Sequence, residues 1–281
     1  MTAQALYLQK RTSAADAVRH VHNGDTIIVS TGVGEPPTLL TELSTQRHSF
    51  QDVKVAQILA LRKYAYFDPE TVANVRHVAL FYGPASRAGG QAGWVDFTPN
   101  YFSEIPAQIE RGQIPAEVVF SMASPMDAHG YFSLSLGADY TMAAVAKART
   151  VLLEVNPNVP FAYGNCLVHV SQVTALVESS DPVLEVGLPT IGPVQAAIGK
   201  QVAELVEDGS TLQIGYGGIP DAVVMQLTDK HDLGIHSEMI GVESSQYHAT
   251  DNTLKQAPHT AASVTKSDWP HAYTREAAAY P

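Results

Sequence analysis

Two stretches of this chain repeat one another, and that repeat limits the folds open to it. "DAVRHVHNGDTIIVSTGVGEPPTLLTEL" (16–43) resembles "KQVAELVEDGSTLQIGYGGIPDAVVMQL" (200–227). Each reads as an amphipathic helix, an Asn-Gly or Asp-Gly turn, a short apolar strand, a glycine-rich loop with a proline, and a second apolar helix. Gly24 aligns with Gly209, and after a one-residue shift Gly34 and Pro36 align with Gly218 and Pro220. Two copies of such a unit, far apart in the chain, specify a protein of two similar α/β halves.

The alternation continues between the copies. "VKVAQILAL", "VRHVALFYG", "AEVVFSMASP" and "TVLLEVNPNVP" read as strands, and "SLGADYTMAAVAKA" has helical spacing, so residues 117–159 form a strand–helix–strand unit. Strands apolar on both faces fit open, mostly parallel sheets covered by helices. The proline-bearing stretch 180–193 reads as the linker, which gives a first α/β domain over 1–185 and the start of a second over 186–240. From Gly241 onward the pattern fades: the only large aliphatics there are Val242, Leu254 and Val264. Such a segment buries too little surface to offset its ordering entropy, so 241–281 is expected to be a disordered tail and the second half incomplete. A shift of reading frame explains that change of pattern better than a regulatory tail does.

Composition narrows the function classes. Of 281 residues, 45 % are hydrophobic and 16 % charged, which suits a buried core, and the net charge of −11 argues against a nucleic-acid partner. Cys166 is the single cysteine, so an internal disulfide and a cysteine-rich zinc site are excluded; in a β-reading stretch it is a buried structural thiol. The N-terminus lacks the apolar core of a signal peptide and no run is long enough to span a membrane, so a cytoplasmic protein is expected.

The glycine loops are the first functional candidates. "STGVGEPP" and "IGYGGIPDAV" each follow a strand and precede a helix, where backbone N–H groups face the sheet edge and suit an anion or a developing oxyanion. Neither has the G-x-G-x-x-G pattern or a P-loop lysine, and a tight turn alone explains either one. Their recurrence at the same point of both halves favours a shared site. Glu238, in "DLGIHSEM", follows the second loop by about twenty residues. If "LGIHS" is the next parallel strand, its end lies beside that loop, where a carboxylate can act as base or nucleophile; a solvated surface glutamate is the plain alternative. Asp127 and His129 in "SPMDAHGYFSLS" have no further ligand in view, and a turn at Gly130 explains them better than a metal does. Glu104 in "NYFSEIP" is a loop carboxylate or a helix-start residue. The Gly- and aromatic-rich excursion 83–102, with Arg87, is long for a connector and reads as a lid or substrate wall.

Together "NYFSEIP", "SPMDAHGYFSLS", "LQIGYGGIPDAV" and "DLGIHSEM" resemble the acetyl-CoA hydrolase/transferase family, especially its 4-hydroxybutyrate and butyrate–acetate CoA-transferases. The likeness runs from about residue 5 to residue 240. It implies two CoA-transferase-type halves, a homodimer, and transfer of CoA between an acyl-CoA and a small carboxylic acid. No metal and no cofactor beyond the CoA substrate are implied. The family's nucleophilic glutamate maps to Glu238, and Gly215, Tyr216, Gly217, Gly218 and Ile219 map to its CoA- and oxyanion-binding loop. Because family members continue well past this point with a further glycine-rich segment, the chain is expected to have little or no activity alone. An acetyl-CoA hydrolase and a non-catalytic, partner-dependent half are the alternatives.

Overall fold

The computed structural model describes residues 2–185, 190–215, 217–235 and 237. These fall into two units, 1–182 and 183–281. The first unit contains α1 (Ala3–Lys10), α2 (Ala14–Val18), β1 (Thr26–Val29), α3 (Pro37–Thr45), β2 (Val53–Gln57), β3 (Val75–Ala79), α4 (Arg87–Ala92), β4 (Asp96–Phe97), α5 (Ile105–Glu110), β5 (Val118–Ala123), β6 (Tyr131–Ser133), α6 (Thr141–Lys147), β7 (Thr150–Val155), β8 (Leu167–His169) and β9 (Ala175–Glu178). The second contains α7 (Pro193–Ala203), β10 (Thr211–Leu212), α8 (Gly218–Val224) and β11 (Gly234–Ile235).

Seven strands of the first unit form one sheet in the order β4-β3-β2-β1-β5-β7-β9, with every neighbouring pair parallel. β1, β5 and β7 are buried along their whole length, as the apolar runs require. Side chains alternate between two cores. Ile27, Val29, Val53, Val55 and Phe120 pack with Leu39, Leu40 and Leu43 of α3 on one face. Ile28, Ala56, Val119, Val151 and Leu153 pack with Ile105 and Ile109 of α5 and Ala144 and Val145 of α6 on the other.

Helix α3 shows how this packing also settles polar groups. It opens on Pro36 and Pro37, and Pro36 offers no side-chain cap. The free amides of its first turn go instead to a strand: Glu154 of β7, fully buried, accepts from Thr38 N (2.8 Å), Thr38 Oγ1 (2.7 Å) and Leu39 N (3.2 Å). Burial pushes the Glu154 carboxyl up, against the opposing pull of these bonds.

Three local readings change in the structure. The helical spacing of "SLGADYTMAAVAKA" becomes a 3-10 turn (Ser135–Gly137) followed by a helix that begins only at Thr141. A Cβ on Gly137 would lie 2.6 Å from Ser30 Cβ, so the chain is pressed against the end of β1 there and cannot yet wind. The segment 117–159 also gives up β6 to an antiparallel ribbon with β8. The excursion 83–102 is in part structural: β4 pairs with β3 and extends the sheet by an edge strand, held by Arg76 and Asp96 at 2.7 Å. The expected tail 241–281 lies outside the described residues.

Candidate functional site

In an open parallel sheet, ligands bind beyond the carboxyl ends of the strands, where the strand order reverses. In the first unit that point lies between β1 and β5. Protein fills it. The loop after β1 winds as a 3-10 turn, Gly32–Gly34, and a Cβ on Gly34 would lie 2.8 Å from Gly137 Cα and 2.9 Å from Gly137 N. Backbone meets backbone there. Below it, Ser30 Oγ donates to Ser121 Oγ (2.6 Å) and lies 3.1 Å from Thr141 Oγ1, whose hydroxyl donates to Asp139 Oδ1 at 2.7 Å. Burial pushes the Asp139 carboxyl up to about 6, although Thr141 and Thr31 donate to it.

Glu35, next in this loop, is fully buried. It accepts from Gln57 Nε2 (3.1 Å), Leu61 N (3.3 Å) and Tyr64 Oη (3.3 Å), with Arg62 at 3.4 Å. Burial again pushes this carboxyl up. Neither Glu35 nor Asp139 was singled out from the sequence. The usable signal was an acidic residue wedged between Gly34 and Pro36, directly behind a glycine loop.

The second unit rebuilds the same opening with different contents. β10 and β11 are parallel in the register Thr211↔Gly234, and β1 and β2 are parallel in the register Thr26↔Lys54. Gly24 (φ +82°) donates to Gln51 O at 3.0 Å, and Gly209 (φ +78°) donates to His231 O at 2.9 Å. Gln51 N donates to Asn23 Oδ1 (2.9 Å), and His231 N to Asp208 Oδ1 (2.8 Å). Asp52 and Asp232 take the left-handed conformation at φ 53° and 55°. Five matched features make the repeat structural, and Asp52 and Asp232 extend it to the start of the second strand of each copy.

Among the described residues, nothing fills the loop that follows β10 as Gly137 fills its counterpart. A Cβ on Gly217 (φ +131°) would meet nothing within 4 Å among the described residues, and one on Gly215 would meet only Pro220 Cγ, at 3.6 Å. Ile219 is 46 % exposed. The first bond of α8 runs from Asp221 N to Gly217 O, so the amides of Gly218 and Ile219 have no partner within the helix. At the end of β10, Ile214 N donates to Ser237 Oγ (3.0 Å), and Ser237 Oγ donates to Ile214 O (2.7 Å). The structure therefore joins the residue before Gly215 to the residue before Glu238. Glu238 and Tyr216 themselves lie outside the described residues.

The remaining candidates are structural. Asp127 Oδ1 accepts from His129 N (2.9 Å) and Tyr131 N (2.8 Å), closing a turn with Gly130 at φ +92°. Among the described residues no three His, Cys, Asp or Glu side chains gather as a metal site would need. Glu104 starts α5 and is exposed. Cys166 is buried, its thiol donates to Ala162 O at 3.3 Å, and burial pushes its pKa up, away from nucleophilic use. Arg87 lines an open groove of about 490 Å³ with Phe81, Tyr82 and Phe97 at the β4 edge of the first unit.

Comparison with known proteins agrees with this architecture. Residues 1–186 match the acetyl-CoA hydrolase/transferase N-terminal domain. The chain belongs to the acetyl-CoA hydrolase/transferase family. It is 40 % identical over 261 residues to the succinyl-CoA:cyclohexane-1-carboxylate CoA transferase of Geobacter metallireducens, covering 92 % of this chain and 59 % of that protein. It is 37 % identical over 240 residues to the 4-hydroxybutyrate coenzyme A transferase of Clostridium kluyveri, covering 85 % and 56 %. The crystal structure of RipA from Yersinia pestis superposes with a TM-score of 0.83 at 30 % identity, covering 89 % of this chain and 60 % of that one. The chain thus spans a little over half the length of these relatives. A match over 92 % of the chain also runs past residue 240, into the segment where the sequence pattern fades. Among the described residues, no helix is long and apolar enough to cross a membrane.

Proposed function

We propose that this chain is the part of a CoA-transferase that carries the nucleophile, Glu238, and its oxyanion loop, Gly215 to Ile219. One observation carries the reading: the two bonds between Ser237 and Ile214 tie the segment entering Glu238 to the segment entering Gly215. The relatives named above are CoA transferases, which supports acyl-CoA and a small carboxylate as the substrates.

The chemistry proposed is that of a carboxylate nucleophile working with backbone amides that the helix itself leaves unpaired. The Glu238 carboxylate attacks the acyl-CoA thioester carbonyl, the C–S bond breaks, and an acyl–glutamyl anhydride and CoA thiolate result. The thiolate then attacks the glutamyl carbonyl, forming a glutamyl-CoA thioester and releasing the first acid as its carboxylate. A second carboxylate takes the CoA by the reverse sequence. This is ping-pong covalent catalysis by a weak nucleophile. Each addition makes a tetrahedral oxyanion, and the amides at Gly217, Gly218 and Ile219 can meet it; losing one such donor typically costs ~10²–10³ in kcat. Glycine lets the backbone approach the ligand without a side chain between.

The test is to incubate the protein with acetyl-CoA and an isotopically labelled acid, and to follow label in the acyl-CoA pool and the intact protein mass. Exchange by the chain alone is expected to be weak at most, and whatever label exchange and CoA-sized adduct form should trace to the peptide containing Glu238 and be lost in Glu238→Ala. CoA release that ignores the added acid points to a hydrolase. Full exchange by Glu238→Ala overturns the assignment.

A further inference from the structure

We infer that Ser237 is a positioning residue whose hydroxyl sets the spacing between Glu238 and the glycine loop. The inference rests on the function proposed above. β10 and β11 hold the register Thr211↔Gly234 and Leu212↔Ile235, and two more rungs of that register bring Ile214 opposite Ser237. In a continued parallel ladder, the N–H and C=O of Ile214 would bond to backbone groups of the facing strand. Here both go to one side-chain atom. Ser237 Oγ accepts the Ile214 N–H at 3.0 Å and donates its own proton to Ile214 O at 2.7 Å. A serine hydroxyl is one bond from Cβ, so the clamp holds the two backbones close together at the rung where the pairing ends. In sequence, Gly215 directly follows one partner of the clamp and Glu238 directly follows the other.

The first copy of the repeat shows the same need met by different means. At the matching end of β1 and β2, the Tyr140 hydroxyl donates to Val29 O (2.6 Å) and accepts from Ile58 N (3.2 Å). A hydroxyl closes both openings. In the first copy it is brought by a distant residue, and the chain continues into Ile58. In the second it belongs to the residue covalently joined to Glu238, so its bonds act directly on the backbone that carries the carboxylate. Reacting groups misplaced by about 1 Å can lose on the order of 10² in rate, which makes the clamp a lever on turnover rather than on binding.

The experiment uses the full chain with Ser237→Ala and the size-matched pair Ser237→Thr and Ser237→Val. It reads Ile214 amide hydrogen exchange together with steady-state acyl transfer. Without the hydroxyl, in Ser237→Ala and Ser237→Val, Ile214 is expected to exchange about 10-fold faster. In both, kcat should fall roughly 10- to 100-fold while KM for acyl-CoA stays within about twofold. Ser237→Thr, which keeps the Oγ, should restore both readouts to within about threefold. If Ser237→Val matches Ser237→Thr in either Ile214 protection or kcat, the inference is wrong, and that comparison holds even if Ser237→Ala folds poorly. Glu238→Ala separates the two levels. Turnover surviving in Glu238→Ala sinks the function proposed above, and with it the positioning role. Turnover lost in Glu238→Ala but kept in Ser237→Val sinks only the role of Ser237.

Discussion

Asp139 gives the most direct test of the physical reasoning, because the expected effect runs against intuition. Replacing it by asparagine should stabilise the first unit at neutral pH. Burial holds its carboxyl at a pKa of about 6, up from its ordinary 3.8. The folded state therefore prefers the protonated form, and the stability this group contributes is full below about pH 4 and lost as the pH rises through about 6. A rise of that size corresponds to about 3 kcal/mol at pH 7.5. The side chain keeps some contact with solvent, which reduces the figure to about 2 kcal/mol. Asparagine keeps the Oδ1 that accepts from Thr141 N (2.9 Å) and Thr141 Oγ1 (2.7 Å). It loses only the long contact with Thr31 N at 3.4 Å, where an amide nitrogen would face another donor.

D139N should then be about 1–2 kcal/mol more stable than wild type at pH 7.5, or about 2–8 °C in Tm for a unit of this size. The two should converge below pH 4. Urea unfolding of both proteins between pH 4 and 8 measures this, since the difference between them cancels the titration of every other group. A difference that stays flat with pH would refute the argument, as would a D139N protein destabilised by more than about 1 kcal/mol at pH 7.5.

Two further perturbations test the packing. Glu154→Ala removes the acceptor for Thr38 N, Thr38 Oγ1 and Leu39 N beneath α3 and should cost about 3 kcal/mol or more, read as a fall in the urea midpoint of the first unit. In the second unit, a Cβ on Gly199 of α7 would lie 2.5 Å from Ala222 O of α8, so Gly199→Ala should cost about 1–3 kcal/mol. Faster amide exchange along α8 would report it, and unchanged protection there would show that the two helices adjust without strain.

How much of this was legible in the sequence depended on how local each signal was. β5 and β7 were readable because a parallel strand buried on both faces must be largely apolar, and the runs at 118–123 and 150–155 are. β2 and β3 carry Lys54, Gln57, Arg76 and His77 and were readable from the valines between them. Helix ends were not readable, because tertiary contacts set them. The helical pattern after Asp16 stops at Val18, where the buried Asp25 takes the His22 amide (2.7 Å) and Arg149 (2.6 Å) and turns the chain into β1. The β6–β8 ribbon joins three-residue segments across a long separation, too short to leave any period. In the candidate site, the glycine loops and Glu238 stood out by type and spacing. Glu35 and Asp139 did not, because a carboxylate in a polar loop looks solvated until the fold shows what covers it.

The repeat offers a physical reason for only one of its copies to carry chemistry. The alignment of Gly34 and Pro36 with Gly218 and Pro220 places Glu35 opposite Ile219, and Asp52 matched to Asp232 places Ile58 opposite Glu238. Acid and apolar residue have exchanged places between the copies. In the first, the carboxylate sits inside the loop, where Gln57, Leu61 and Tyr64 donate to it and Arg62 lies beside it, and the loop is packed against Gly137. Such a carboxylate has no lone pair free for a substrate, and it closes the space that an oxyanion would need. In the second, an exposed isoleucine takes that place, and among the described residues a Cβ on Gly217 would meet nothing within 4 Å. A carboxylate supplied from the neighbouring strand, as proposed for Glu238, would leave the loop's amides to an oxyanion instead of consuming them. Nucleophile and oxyanion donors must flank the reacting carbonyl from different directions, which an acid inside the loop, as Glu35 is, cannot satisfy.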